Sequence, residues 1–418
     1  MARRQLVAQA LVAALGLALL LWAACADAAW MDRHLTPSFH HPRETQLRTL
    51  LIVRLAAAFA GVVALTAGRA LAGRIFARRT VAQALGRAAP TLVAVALALG
   101  ASELILRLAP GLDLQRIDTG REPLRRPDPV LGWDYAPGRT AYGAPAGRRV
   151  AYALDPAGFR VARGDRPVDP SRPTILFAGE SFMLGQGLDW AQTIPARVEA
   201  ATGLQSANLG VEGYGTDQSY LRLRRVWPAF QRPAAVVFLV MPSIFARNLD
   251  TDRPHLTPGL TLAPPDRSLR LVQILRRAAP YRTQAEIDCG VAMTREVLTA
   301  SAAMARARGA AFLVVVPQPR RESLAERALR RRVLDAAGLP YVLVPLDPAW
   351  RLPGNRHPDA RGAQAIAQAI VRELRARDPR FRTLALRRPA GSALPPPTSS
   401  TSAASRTPAP RSGAPARG

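Results

Sequence analysis

Along the first hundred residues the apolar positions run in unbroken blocks rather than in alternation. Between Arg4 and Asp27 no charge interrupts a stretch rich in Leu and Ala, long enough to cross a hydrocarbon core of about 30 Å. A second block runs from about Thr49 to Gly68 and carries Arg54 near one end, where a long side chain can snorkel to the interface. A third runs from about Ala88 to Leu106, with Pro90 near its start and Glu103 near its end. The pattern predicts about three transmembrane helices within residues 1–108. Residues 109–173 are rich in Pro, Gly and Arg and read as a lead-in of turns and a few short strands. From Thr174 short apolar runs alternate with helical text. Strands are predicted at Thr174–Ala178, about Gln205–Leu209, Ala235–Val240, Ala311–Val316 and Tyr341–Val344. Helices are predicted at Trp190–Ala201, Asp217–Phe230, within Gln284–Arg308, within Arg321–Ala337 and at Ala360–Arg377, and a longer irregular stretch ends near Tyr281. This alternation predicts an α/β fold over residues 174–382, a three-layer, doubly wound, parallel five-stranded sheet behind the N-terminal transmembrane helices. Residues 383–418 are dominated by Pro, Ser, Thr, Ala and Gly and form the expected disordered tail.

Composition changes this picture in two places. The 418 residues carry a formal net charge of +27, and all 57 basic residues are arginine. They are spread over every segment, without the clustering on one face that nucleic-acid recognition needs, so no nucleic-acid partner is expected. One group is informative: Arg69, Arg74, Arg78, Arg79 and Arg87 lie between the second and third blocks with no acid among them, whereas Met31 to Arg48 mixes both signs. The positive-inside rule then puts the N-terminus in the cytoplasm and everything after Leu106 outside. If the first block is instead a cleaved signal peptide, the two remaining spans lead to the same destination. The other informative count is cysteine. Cys25 and Cys289 lie far apart, which excludes a disulfide framework and a cysteine-built zinc site; Cys289, in helical text, is expected in the core. No cofactor or metal is implied.

In an open parallel sheet, ligands bind at the carboxyl ends of the strands. The first such strand runs into Gly179-Glu180-Ser181-Phe182. A serine at a strand-to-helix corner can project its hydroxyl into a cleft, with helix-start amides nearby for negative charge, or it can simply form the turn. Met183 excludes the G-x-S-x-G elbow. Of the five histidines, His34, His40 and His41 fall in the first membrane loop and His255 follows the third strand, while His357 directly precedes the last helix. From there it can serve Ser181 as a base, or be a surface histidine introducing a helix. Glu180, Asp217 and Asp250 read as solvated or capping residues, and Trp133, Tyr135 and Tyr214 as core or as a substrate platform.

Three blocks together resemble the SGNH/GDSL hydrolases: Gly179-Glu180-Ser181-Phe182, the run from Asn208 to Gln218, and His357-Pro358 with Gly362. Asp128 to Trp133 and Asp155 to Arg160 are similar to what precedes that domain in membrane-anchored bacterial members. The resemblance covers about Pro127 to Arg377. It implies Ser181 as nucleophile and first oxyanion donor through its N–H, Gly213 as second donor and His357 as general base. This chain departs from the family in two places. Where the family has Asn-Asp after the third strand, direct alignment puts Ser243 at the asparagine position, and Asn248 matches only with a shifted loop. Two residues before His357, where the orienting acid belongs, stands Asn355, with Asp347 as a distant substitute. A Ser–His dyad is implied, or a weakened or inactive member. The expected function is a serine esterase, multi-pass in the bacterial inner membrane with its catalytic domain periplasmic. It would hydrolyse acyl esters, O-acetyl among them, of small molecules, polysaccharides or other envelope molecules. An O-acyltransferase and a non-catalytic envelope-binding protein are the alternatives.

Overall fold

A computed structural model describes residues 2–39, 43–77, 81–108, 124–144 and 147–383. The expected tail, apart from Thr383, lies outside the described residues, as does 109–123 of the lead-in. Among the described residues, three helices are long and apolar enough to cross a membrane: α1 (Ala2–Cys25), α2 (Arg43–Val63), continued by a π-helical turn (Ala64–Gly68) and a further helix (Arg69–Ala77), and α3 (Val81–Leu108). Their apolar windows match the three predicted blocks. Arg54 donates from Nε to the Ala23 carbonyl at 2.8 Å and from Nη2 to that of Ala24 at 3.3 Å. The cation thus lies on the free carbonyls that end α1, where the helix dipole favours it.

The predicted α/β alternation forms at its predicted places, and the sheet is wider than expected. The strands are β1 (Thr140–Gly143), β2 (Val150–Leu154), β3 (Arg160–Val161), β4 (Thr174–Ala178), β5 (Gln205–Asn208), β6 (Pro233–Leu239), β7 (Ala311–Gln318) and β8 (Tyr341–Pro345). Their order is β8-β7-β6-β4-β5-β3-β2-β1. The five from β4 to β8 are parallel, as expected. The lead-in supplies the other three, which join antiparallel at the edge of β5 through the pair Arg160 and Asn208.

The parallel strands read as unbroken apolar runs because both faces are covered. Ile175 and Phe177 of β4 pack on one side with Val198, Ile366 and Ile370, from α5 (Ile194–Thr202) and α11 (Ala360–Arg377). Leu176 and Ala178 pack on the other with Leu221, Val297 and Leu329, from α6 (Thr216–Val226), α9 (Gln284–Ala307) and α10 (Leu324–Val333). Between β4 and β5 lies the short helix α4 (Ser181–Leu184), and the irregular stretch holds α7 (Pro242–Arg247), a hairpin (His255–Thr257 with Thr261–Ala263) and α8 (Arg270–Ala278). The chain passes from β4 to its neighbour β5, then returns to β6 on the opposite side. This reversal puts the topological switch point at the carboxyl end of β4. Cys289, expected in the core, is exposed: on α9 it lies beside the buried face marked by Ile287, Gly290 and Val291.

The lead-in is tied down by charge as well as by strands. A ribbon of Arg125–Asp128 and Gly132–Tyr135 carries Asp134, which accepts from buried Arg222 of α6 at 2.8 Å. Removing one partner of such a pair leaves a buried, uncompensated charge, at a cost of about 3–5 kcal/mol. Asp134→Ala should lower stability by about that much, read as a drop in the urea midpoint; an unchanged midpoint would show that this ion pair contributes nothing to folding.

Candidate active site

Strand β4 delivers Ser181 to the switch point. The Glu180 side chain caps the first turn of α4, accepting from the Phe182 N–H at 3.0 Å. At the other end of that turn Arg160 donates to the carbonyls of Leu184 at 2.8 Å, Gly185 at 2.7 Å and Leu188 at 2.6 Å. Its plane lies over the Tyr152 ring at 4.3 Å, and burial lowers its pKa to about 10. The loop after β5 closes from above. A Cβ on Gly210 would stand 2.3 Å from the Leu184 backbone nitrogen, so only glycine fits there.

His357 reaches the serine from the loop before α11. Its Nε2 lies 2.7 Å from Ser181 Oγ, and its Nδ1 lies 2.5 Å from Asn355 Oδ1, which also accepts from the His357 backbone N–H at 3.1 Å. An amide oxygen can only accept, so this contact assigns the proton to Nδ1 and leaves Nε2 free to accept from the serine. Ser181, His357 and Asn355 are thus brought together in one hydrogen-bonded line. Asp347 is not part of it: exposed, it accepts from Ala349 N at 2.8 Å in its own turn.

The remaining candidates separate. Ser243, in the first turn of α7, lines the same cavity as Ser181 and His357. Asn248 does not line it. Its Oδ1 accepts from Thr216 N at 2.7 Å, and its Nδ2 donates to the hydroxyls of Thr216 and Thr294, each at 2.8 Å. The amide is fully used in bracing the start of α6, which corrects the shifted-loop alignment. Gly213 has φ +82°, a left-handed turn position, and a Cβ there would meet the Trp133 ring at 3.2 Å. Trp133 donates to the Glu212 carbonyl at 3.0 Å, Tyr135 Oη accepts from Glu212 N at 3.3 Å, and Tyr214 donates to the Trp133 carbonyl at 2.5 Å. All three rings are buried; they are core that braces the loop around Gly213.

Two residues went unnoticed in the sequence as site residues. Glu180 was read as solvated or capping, and it caps, but it is 2% exposed and its Oε2 accepts from the Ser181 hydroxyl. Arg247 donates to that same oxygen at 3.3 Å and to the Tyr214 carbonyl at 3.1 Å. Burial opposes charge on Glu180, yet Arg247, the Ser181 hydroxyl and the Phe182 N–H together hold its carboxyl below the ordinary value. The only sequence signal was its place beside a serine at a strand end. Asp217, read the same way, is fully buried and paired with Arg253 at 2.8 Å.

Glu180, Ser181, Ser243, Arg247 and His357 line a cavity of about 550 Å³. Its apolar wall includes Val240, Phe245, Val316 and Leu329, and Arg351 and Arg356 stand with His357. Phe39, from the loop between α1 and α2, completes the wall and meets Phe245 edge-on at 5.5 Å. Beside it Thr36 and Pro37 pair with Arg282 and Tyr281.

No family model and no curated protein matches the sequence. Among solved structures, the chain is similar to an acetyl xylan esterase from the rumen bacterium Butyrivibrio proteoclasticus, at 12% identity and a TM-score of 0.32, over 50% of this chain. It spans 65% of that enzyme's length. It is also similar to a carbohydrate acetylesterase family member from Sinorhizobium meliloti (13% identity, TM-score 0.30, 51% of this chain and 99% of that one). A third is an SGNH-hydrolase family esterase (18% identity, TM-score 0.29, 50% and 98%). These likenesses are distant, and the reading of the site rests on the strand order and side-chain geometry of the chain itself.

The electrostatics make a measurable claim. Burial pushes the His357 imidazole below its ordinary 6.5, with Arg247 acting the same way and Glu180 and Glu212 against it. Labelling of Ser181 by a fluorophosphonate needs a proton-free Nε2, so it should fall as pH drops, with a midpoint below 6.5. Glu180→Gln removes a charge that favours imidazolium and should move the midpoint lower; Asn355→Asp adds one and should move it higher. A midpoint indifferent to both substitutions would contradict this account.

Proposed function

We propose that the protein is a serine esterase acting on acyl esters. The observation that carries the reading is the line Ser181 Oγ, His357 Nε2, His357 Nδ1, Asn355 Oδ1, closed at 2.7 and 2.5 Å beside a cavity of about 550 Å³. Ser181 Oγ attacks the ester carbonyl carbon while His357 Nε2 takes the hydroxyl proton. The tetrahedral intermediate collapses, its C–O bond breaks, and His357 returns the proton to the departing alkoxide. Water then repeats the sequence on the acyl-enzyme, releasing the acid. The Ser181 N–H and the Gly213 N–H are the proposed oxyanion donors, with the Ser243 hydroxyl in the asparagine's place.

Asn355 orients the imidazole but brings no charge to the imidazolium. Glu180 lies on the far side of the serine and favours imidazolium through space. It also competes for the single Ser181 proton, and Arg247 tempers that competition by drawing on the same carboxylate oxygen. The complete hydrogen-bonded line favours catalysis over binding alone. The cavity's apolar wall suits an acyl group, and Arg351 and Arg356 suit an anionic or polyhydroxylated alcohol portion such as a carbohydrate.

With purified full chain and short acyl esters, Ser181→Ala and His357→Ala should each lower turnover by at least about 10²- to 10⁴-fold, and a fluorophosphonate should label the wild type but not Ser181→Ala. Turnover untouched by both substitutions would overturn the assignment. Acyl transfer to an added sugar in preference to water would identify an acyltransferase using the same acyl-enzyme.

The apolar helices support an anchored, exported enzyme: three spans starting in the cytoplasm leave the α/β domain outside. A reporter active only in the periplasm, fused after Leu106, should be active; silence there, with activity from a cytoplasmic reporter at the same point, would reverse the topology.

A further inference from the structure

Helix α8 has two faces of different kinds. Toward the domain, Arg270 pairs with Asp252 at 3.1 Å, and Arg277 pairs with Asp250 at 3.2 Å and Asp252 at 3.1 Å. Away from it, Leu269, Val272 and Leu275 are 56%, 36% and 60% exposed. Their spacing of three puts them on one side of the helix, and the exposed Arg267 and Arg276 flank them. A row of bare aliphatic side chains rimmed by cations marks an interaction surface.

The start of α8 is held by α3. Glu103 Oε1 accepts from Arg270 N at 2.7 Å and Oε2 from Leu271 N at 3.2 Å, while Arg107 donates to Glu103 at 2.6 Å and to the Ser268 carbonyl at 3.5 Å. The apolar window of α3 runs from Ala88 to Leu108, and none of its most apolar stretch is buried inside the molecule. Glu103 therefore lies only about 8 Å along the helix axis from the end of that window, at 1.5 Å per residue. That is the depth of about 5–10 Å at which amphipathic helices rest in the boundary between headgroups and acyl chains. Lipid around α3 would therefore meet the bare face of α8.

We propose that α8 lies in the membrane interface, with Leu269, Val272 and Leu275 among the acyl chains and Arg267 and Arg276 at anionic headgroups. The proposal rests on α3 crossing the membrane. Through the Glu103 cap and the Arg270 and Arg277 ion pairs, α8 fixes the α/β domain against the bilayer rather than leaving it on a loose stalk.

The test uses the full chain, with Cys25 and Cys289 replaced by serine, in nanodiscs of phosphatidylcholine and phosphatidylglycerol. A single cysteine at Leu275→Cys, Leu97→Cys in α3, or exposed Ala336→Cys is labelled with an environment-sensitive NBD fluorophore. Dibrominated lipids should quench the label at positions 97 and 275, with blue-shifted emission, and leave 336 unaffected. Quenching at 97 with none at 275 would overturn the interfacial helix while leaving the spans intact. A blue shift at 275 without bromolipid quenching would assign that face to protein, including a second copy, and also overturn it. Absence of quenching at 97 would remove the transmembrane reading itself, and the proposal with it.

Discussion

One buried guanidinium holds the lead-in and the candidate nucleophile together. Arg160 is carried on β3, and it spends its donors on the carbonyls of Leu184, Gly185, Leu188 and Ala151. A helix as short as α4 cannot satisfy its own last carbonyls, and burying them unpaired would cost about 1–3 kcal/mol each. The cation supplies what the helix lacks. The same contact explains why strands outside the parallel sheet are part of the domain: without β1 to β3, neither the arginine nor the Tyr152 ring beneath it would be in place.

The second constraint is the distribution of charge around Ser181. A carboxylate behind the histidine ring stabilises the imidazolium from the side away from the reacting atoms. In this chain that position is an amide, and the buried carboxylate stands on the serine's side, next to an arginine. Negative charge so close to the Ser181 hydroxyl favours removal of its proton and opposes negative charge built up beside it. The contact of Arg247 with Glu180 therefore decides how much of the carboxylate's field reaches the cavity.

Much of the fold was legible because its signals are local. A run such as Thr174 to Ala178, apolar on both faces and closed by glycine, has few alternatives to a buried parallel strand, and Ser181 and His357 stood at the ends where such sheets keep their chemistry. What was not legible depends on partners distant in sequence. Ser243 and Asn248 are five positions apart, at the first turn and just past the end of α7, and only the course of that helix decides that Asn248 serves Thr216 and Ser243 the cavity. The roles of Arg160 and Arg247 lie in carbonyls and a carboxylate that no spacing rule connects to them. Cys289 shows the limit of reading helix faces by composition: one position from buried Gly290, it is exposed.

The place of Phe39 changes what the segment of apolar helices is. It belongs to the loop between two apolar helices, yet its ring lines the same cavity as Ser181 and packs on Phe245. An excised α/β domain would keep its serine and histidine but lose one side of the cavity beside them, and would expose apolar wall to water in its place. The cavity and the apolar N-terminal helices are therefore not separable modules in this chain: the segment that joins two of those helices also sets the shape of the cavity beside Ser181.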